Sequence, residues 1–270
     1  MHHLSFTSPD FQRSYRAEPR AFCVACHAPR LGADGHRDGD TGVGCNECHA
    51  VPPRHLEGGA SARAARTETR ACASCHDFVV PGTHANLQTT VREHAESPFA
   101  STPCAECHLR PRRSAPGHDH AFAVSRNHAL LANSIAVDDA YAERADAVVV
   151  LRTRGVGHRF PTGDIFRRVT VTLAATDASG ALVGASETHL HRDWEEHRRS
   201  VKTGTPERTD DSRMTSAAQI FRAECTRLPA RVRVTVTYAR GMTADGDRFE
   251  SFEETDILDT MRELAPRDAR

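Results

Sequence analysis

The pattern of apolar and polar residues changes near residue 140. Before that point, short helical patches at 11–16 and 88–97 lie between stretches rich in Cys, His, Pro and Gly, without an apolar period long enough to form an ordinary core. The spacing of apolar residues also predicts a helix at 126–145 that leads into the second half of the chain.

Beyond residue 145 the apolar residues recur at every second position, which is typical of strands with one buried face. Strands are predicted at 147–151, 169–173, 182–183 and 232–238. Turn signals at 177–180 and 245–246 separate them. This half therefore predicts an antiparallel β-sandwich of roughly six or seven strands. A closing helix is predicted at 255–264, and the polar segment at 202–214 is interpreted as a long exposed loop.

Composition excludes two classes of protein. The 35 Lys and Arg residues balance 36 Asp and Glu residues, which argues against a generally basic nucleic-acid binder. No apolar run approaches the ~18 residues that a membrane span needs, so no transmembrane segment is predicted. The unusual feature is the content of 9 cysteines and 17 histidines in 270 residues.

Most of the cysteines belong to four copies of the pentapeptide C-x-x-C-H. The cysteines of these motifs are Cys23, Cys26, Cys45, Cys48, Cys72, Cys75, Cys104 and Cys107, and the histidines are His27, His49, His76 and His108. Two thiols at this spacing reach both vinyl groups of a haem, and the next histidine lies under the iron. A structural zinc site or a thioredoxin-like redox pair also uses C-x-x-C, but neither needs a histidine after every second cysteine or a fourfold repeat. The motifs therefore predict four covalent haem c groups.

Four haems in so short a segment predict that the porphyrins themselves form the core of the first half. The predicted fold class is multidomain α+β. A haem-packed, mostly helical and loop N-terminal domain is expected at residues 1–140. A C-terminal antiparallel β-sandwich with a terminal helix is expected at residues 141–270.

Each motif histidine fills one axial position of its iron, so a second ligand has to come from elsewhere. Apart from the initiator, the methionines (Met214, Met242 and Met261) lie far from the motifs, and no methionine ligation is predicted. Nine of the remaining histidines share the first 128 residues with the motifs, which favours bis-histidine haems of low potential.

Several histidines are candidates for the distal position. They are His3, His55, His118, His120 and His158. For each of them the alternative is a solvated or structural histidine. His84 and His94 remain open, and His36 is interpreted as a loop residue.

One loop between two predicted strands carries His158 in the sequence Gly-Val-Gly-His-Arg-Phe-Pro-Thr-Gly-Asp. Glycines on both sides and an internal proline shape such a loop tightly. His158 is therefore predicted to reach back and complete one haem. The alternative is a structural histidine whose nitrogens bind loop carbonyls.

The ninth cysteine, Cys225, lies outside the motifs. It is interpreted as a core residue, because free cysteines are often buried. An intermolecular disulfide is the alternative.

Taken together, these features resemble a known family. The four motifs, the segment 42–49 with the trailing His55, the stretch 88–98 and the Gly-His-x-Phe-Pro-Thr-Gly loop are similar to those of bacterial multihaem cytochromes c. In particular, they resemble the tetrahaem family that includes the electron acceptor of hydroxylamine oxidation. The resemblance implies an exported protein with closely stacked haem pairs, and it supports His55, His120 and His158 as distal ligands. It carries over no substrate-site residues.

The predicted function is electron transfer in a respiratory or extracellular chain, with redox proteins or further copies of this chain as partners. One alternative is a reductase or oxidase of a small nitrogen or sulfur species at one open-coordination haem. Another is a subunit of a polymeric cytochrome filament. The surplus of histidines favours an electron carrier over an enzyme. Covalent haem predicts a periplasmic or extracellular location, with a signal segment already removed because the N-terminus lacks that pattern.

Overall fold

The computed structural model describes residues 4–17, 19–29, 42–48, 69–79, 86–109, 119–120, 122, 124, 126–164, 166–195, 207–245 and 248–267. The chain divides into two compact units. Of the described residues, those in Met1–Ala95 and Phe99–Val124 belong to the first unit, and those in Glu96–Pro98, Ser125–Glu196 and Glu207–Arg270 belong to the second. The predicted domain division at residue 140 stays a prediction.

In its described residues, the first unit contains short helices and one β-hairpin. The helices are α1 (Pro9–Ala17), α2 (Ala21–His27), α3 (Cys45–Cys48), α4 (Arg70–His76), α5 (Thr90–Ala95) and α6 (Cys104–His108), and the antiparallel hairpin pairs β1 (Asp77–Val79) with β2 (Asn86–Thr89). Helix α1 confirms the patch predicted at 11–16. The patch predicted at 88–97 is helical only in α5, because its first two residues belong to β2.

The first unit buries little apolar surface. Ala28 and Leu109 are its buried apolar side chains among the described residues. This agrees with the absence of a long apolar period in its sequence.

The second unit contains helix α7 (His128–Ala132) and ten strands among its described residues. The strands are β3 (Ile135–Glu143), β4 (Asp146–Thr153), β5 (Arg167–Thr176), β6 (Leu182–Leu190), β7 (Arg192–Glu195), β8 (Glu207–Asp211), β9 (Gln219–Ala223), β10 (Arg231–Asp245), β11 (Arg248–Glu263) and β12 (Ala265–Pro266). They form two four-stranded sheets, in the orders β11-β10-β5-β6 and β12-β3-β4-β9, and a separate β7-β8 pair. All pairs are antiparallel except β12 with β3.

Both four-stranded sheets contribute to one apolar core. Along β10, the side chains of Val232, Val234, Val236 and Tyr238 are buried on one face, as the period of two predicts. Strand β5 buries alternate residues in the same way. Each such Val or Leu contributes about 1.5–3 kcal/mol when it is fully buried. The sandwich arrangement of the sheets stays a prediction.

The predicted fold class is wrong in its balance of helix and strand. Of the described residues, 45% lie in strands and 21% in helices, and the sheets are antiparallel. The structure is therefore not built on a mostly helical haem-packed domain. Most of the two segments predicted as helices, 126–145 and 255–264, is strand, and the described helices of the first unit are each only four to nine residues long.

The helix predicted at 126–145 is wrong beyond its first turns. Helix α7 starts after Asn127, whose side chain accepts a hydrogen bond from the Leu130 N–H at 3.1 Å. The helix gives way to β3, which pairs with β4 along its length. Pairing with β4 buries Ile135 and Ala142, and this tertiary contact overrides the helix propensity of an Ala-rich segment.

The terminal helix predicted at 255–264 is also wrong, because its residues up to Glu263 belong to β11, paired with β10. Ile257 is buried, whereas Met261 is 50% exposed. The apolar residues that suggested one face of a helix are therefore not buried together. The prediction of an exposed loop at 202–214 is wrong for its described residues, 207–214. Residues 207–211 form β8, and Arg213 and Met214 are buried.

Cys225 packs against the core of the second unit, as the interpretation as a core residue requires. Burial raises the pKa of its thiol. Gly184 and Cys225 form a β-bridge. A Cβ on Gly184 would lie 2.6 Å from the Cys225 Sγ and would also meet the Glu224 carbonyl.

Gly184→Ala is therefore expected to lower the free energy of unfolding by about 1–3 kcal/mol, the usual cost of overpacking. The backbone carbonyl of Glu224 cannot move aside as a flexible side chain would. Denaturant unfolding followed by circular dichroism measures the loss. Ala185→Ser, at an exposed position of the same strand, is the control. Equal stability of the two variants would contradict the prediction.

Within the described residues, no helix is long and apolar enough to cross a membrane.

Candidate haem-binding site

The C-x-x-C-H motifs lie on short helices of the first unit. Three complete motifs end α2, α4 and α6, and the cysteines of the second motif bound α3. Residues three apart in a helix lie on the same face. A helical motif therefore presents both of its thiols on one side. The histidine that follows is the last residue of α2, α4 and α6.

Cysteine side chains of different motifs form hydrogen bonds with each other. Cys26 and Cys75 share a hydrogen bond, which raises the pKa of Cys26 and lowers that of Cys75 to about 6. Cys72 and Cys104 form a second such pair, in which the pKa of Cys72 is raised and that of Cys104 is lowered to about 6. Each pair joins two motifs, whereas in a thioredoxin-like site the two cysteines of one motif pair with each other.

Helix α4 lies at the centre of this arrangement. Its Cys75 contacts Cys26 of the first motif, and its Cys72 contacts Cys104 of the fourth. Cys48 of the second motif is close enough to raise the pKa of Cys72 through its charge. One cysteine of each of the other three motifs therefore lies near a cysteine of α4. No group of three or more His, Cys, Asp or Glu among the described residues is arranged to hold a metal ion.

His27 is held on two sides by the N-terminal segment. Its Nδ1 lies 3.1 Å from the Ser5 carbonyl oxygen, and the Ser5 hydroxyl donates to the His27 carbonyl at 2.8 Å. The Phe11 ring stacks on the imidazole with centroids 3.8 Å apart. Because a carbonyl oxygen only accepts, Nδ1 of His27 carries the proton and Nε2 carries the lone pair.

This arrangement fits a haem c at the first motif. Cys23 and Cys26 are half-buried thiols on one helix, and the next residue is an imidazole in the tautomer whose Nε2 binds iron. The donor set is therefore the one that covalent haem requires.

His158 lies in the second unit, in a loop with left-handed glycines at Gly155 (φ +61°) and Gly163 (φ +108°). Its Nδ1 is 2.9 Å from the Arg159 carbonyl oxygen, a contact with a loop carbonyl of the kind that the alternative of a structural histidine predicts. Because Nδ1 donates to that carbonyl, it carries the proton and Nε2 carries the lone pair. The loop is pinned by a β-bridge between Phe160 and Met214, with both backbone hydrogen bonds at 2.9 Å. The side chain of His158 is half-buried.

The other predicted ligands are distributed as follows. His76 and His108 are half-buried at the ends of α4 and α6. His120 is exposed, 6.5 Å from the ring of Phe122. Cys45 is the first residue of α3. The predicted residues His3, His49, His55 and His118 lie outside the described residues.

Some residues around the site were not found from the sequence. Ser5 and Phe11 contact His27 from 22 and 16 positions away, and no spacing rule connects them. His94, which remained open, is buried in α5, and its charge lowers the pKa of Cys104. Asp211 and Arg213 hold the His158 loop. Asp211 ends β8 and Arg213 lies just beyond that strand, in the segment that the sequence assigned to an exposed loop, so no signal pointed to them.

The comparisons with known proteins show a fold relative. A penta-heme cytochrome c552 from Thermochromatium tepidum matches with a TM-score of 0.74 and 18% identity, over 97% of this chain and 93% of that one. This chain is similar to that cytochrome in fold. This chain itself contains four C-x-x-C-H motifs. No protein-family model and no curated protein sequence matches the chain.

Proposed function

We propose that this chain is a multihaem c-type cytochrome that transfers electrons through four covalently attached haems. The observation that carries the proposal is the meeting of C-x-x-C-H thiols from different motifs around α4. Haems attached at these cysteines have neighbouring attachment points, as a path for electrons needs. The fold shared with a penta-heme cytochrome supports the same function.

When bound, the haem supplies one-electron redox chemistry, and the residues of this chain hold and tune it. The paired cysteines anchor each haem, and His27, His49, His76 and His108 are the proposed proximal ligands. The distal ligands are proposed to come from His3, His55, His118, His120 and His158. The Nε2 lone pair of His158 and its pinned loop support it most directly among these.

The proposed partners are other redox proteins, and the proposed location is the periplasm or the cell exterior, where covalent haem proteins are matured. Membership of the tetrahaem family that includes the electron acceptor of hydroxylamine oxidation remains a proposal. A spectrum that counts high-spin haems distinguishes a carrier, with all irons six-coordinate, from an enzyme with one open iron.

Intact mass spectrometry of the mature protein is expected to show four haem additions to the mass of the polypeptide. The reason is covalent attachment through two thioether bonds per motif, which survives denaturation. Replacing both Cys104 and Cys107 with alanine is expected to leave three additions.

The matched control is Cys225→Ala, which removes the cysteine outside the motifs and should keep four additions. A wild-type mass with three or fewer haems would refute the proposed count. Loss of a haem in the Cys225 variant would show that attachment does not follow the motifs.

A further inference from the structure

We propose that Ser5 and Phe11 position the imidazole of His27 and lower the reduction potential of the haem that it binds. The inference rests on the proposed function, because it requires a haem at the first motif. It concerns the N-terminal segment 4–17, to which the sequence assigned no role at the iron.

The first step is the hydrogen bond from His27 Nδ1 to the Ser5 carbonyl, at 3.1 Å. A reciprocal bond from the Ser5 hydroxyl to the His27 carbonyl, at 2.8 Å, holds the two residues side by side. The adjoining chain is fixed as well, because the Gln12 side chain donates to the Phe6 carbonyl at 2.6 Å and the Ser8 N–H donates to the Leu4 carbonyl at 2.8 Å. The acceptor for His27 therefore sits on an ordered turn.

The second step is the ring contact. Phe11 lies nearly parallel to the His27 imidazole, at an interplanar angle of 15°, and Tyr15 stacks on Phe11 with centroids 5.3 Å apart. Phe6 packs against both aromatic rings at 5.5 and 5.8 Å. A ring stacked on one face of the imidazole restricts its rotation, and so keeps Nδ1 directed at the carbonyl.

The consequence concerns the iron. A histidine that donates its Nδ1 proton to a carbonyl is a more basic ligand through Nε2, and its ring orientation is fixed. A more basic ligand stabilises the ferric state over the ferrous state, which lowers the reduction potential. Phe11 and Ser5 act through His27 and are positioning residues.

The test uses the mature four-haem protein and optical redox titration with electron paramagnetic resonance. In Phe11→Leu, one of the four potentials is expected to rise and one low-spin signal to change its g values, with three haems unaffected. Ser5→Ala is expected to shift the same haem in the same direction by less, because the carbonyl itself remains. Phe11→Tyr retains the stacked ring and should restore the wild-type potential.

Phe249→Leu is the matched control, since it removes a ring that packs on Arg168 in the second unit. Unchanged potentials in both Phe11→Leu and Ser5→Ala would overturn the inference, as would an equal shift of all haems or failure of Phe11→Tyr to restore the potential.

Intact mass and total haem absorbance test the proposed function separately. A protein without haem on the first motif would end both the proposed count and this inference, whereas four haems with unmoved potentials would end the inference alone.

Discussion

Replacing His158 with alanine is expected to convert one low-spin haem to a high-spin haem. We propose that His158, on a loop pinned by the β-bridge between Phe160 and Met214, supplies its Nε2 lone pair as an axial ligand. Its loss leaves one iron five-coordinate or bound to water, which raises the potential of that haem. Visible absorption and electron paramagnetic resonance of the oxidised protein measure the change, and added imidazole should reverse it.

His189→Ala provides the control, because His189 is an exposed histidine of the same unit that contacts the Thr170 hydroxyl at 3.1 Å. Its spectrum should match the wild type. If His158→Ala also keeps every haem low-spin, His158 is structural. The distal ligand would then be sought among His3, His84, His94 and His118.

Asp211→Ala is expected to lower the free energy of unfolding by about 3–5 kcal/mol, the usual cost of breaking a buried ion pair. The Asp211 carboxylate accepts from Arg213 Nε at 2.7 Å and Nη2 at 2.8 Å, and it lies 3.0 Å from Arg159 Nη1. The Asp211 and Arg213 side chains are each 3% exposed. Without the carboxylate, the buried guanidinium of Arg213 loses both of these hydrogen bonds and keeps its longer contact with the Pro161 carbonyl, at 3.3 Å.

Denaturant unfolding of the mature protein, followed by circular dichroism, measures this loss. The control is Asp138→Ala, which breaks an ion pair with Arg152 at 2.6 Å whose side chains are 32% and 53% exposed. Exposed pairs contribute about 0–1 kcal/mol, so the control should stay near the wild type. A loss of stability in Asp211→Ala no larger than in Asp138→Ala would show that the buried network does not hold the loop.

The period of two in the second half was sufficient to locate β5 and β10, and the buried face of β10 is the predicted one. The apolar run at 147–151 located β4, in which Ala147, Val148 and Val149 are all buried. Strands β5 and β10 bury alternate residues within a single segment, and such a pattern is local. The segments 126–145 and 255–264 were misassigned because their apolar residues suit a helix as well as a strand. Their pairing partners, β4 and β10, decide between the two.

The sequence by itself determined where the haems are proposed to attach, because two thioether bonds and an axial histidine need neighbouring residues along the chain. It also indicated the His158 loop from its glycines and proline. Only the tertiary structure brought Cys26 to Cys75 and Cys72 to Cys104, and placed Ser5 against His27. Contacts between residues far apart in the chain depend on how the elements pack, and no short-range spacing encodes them.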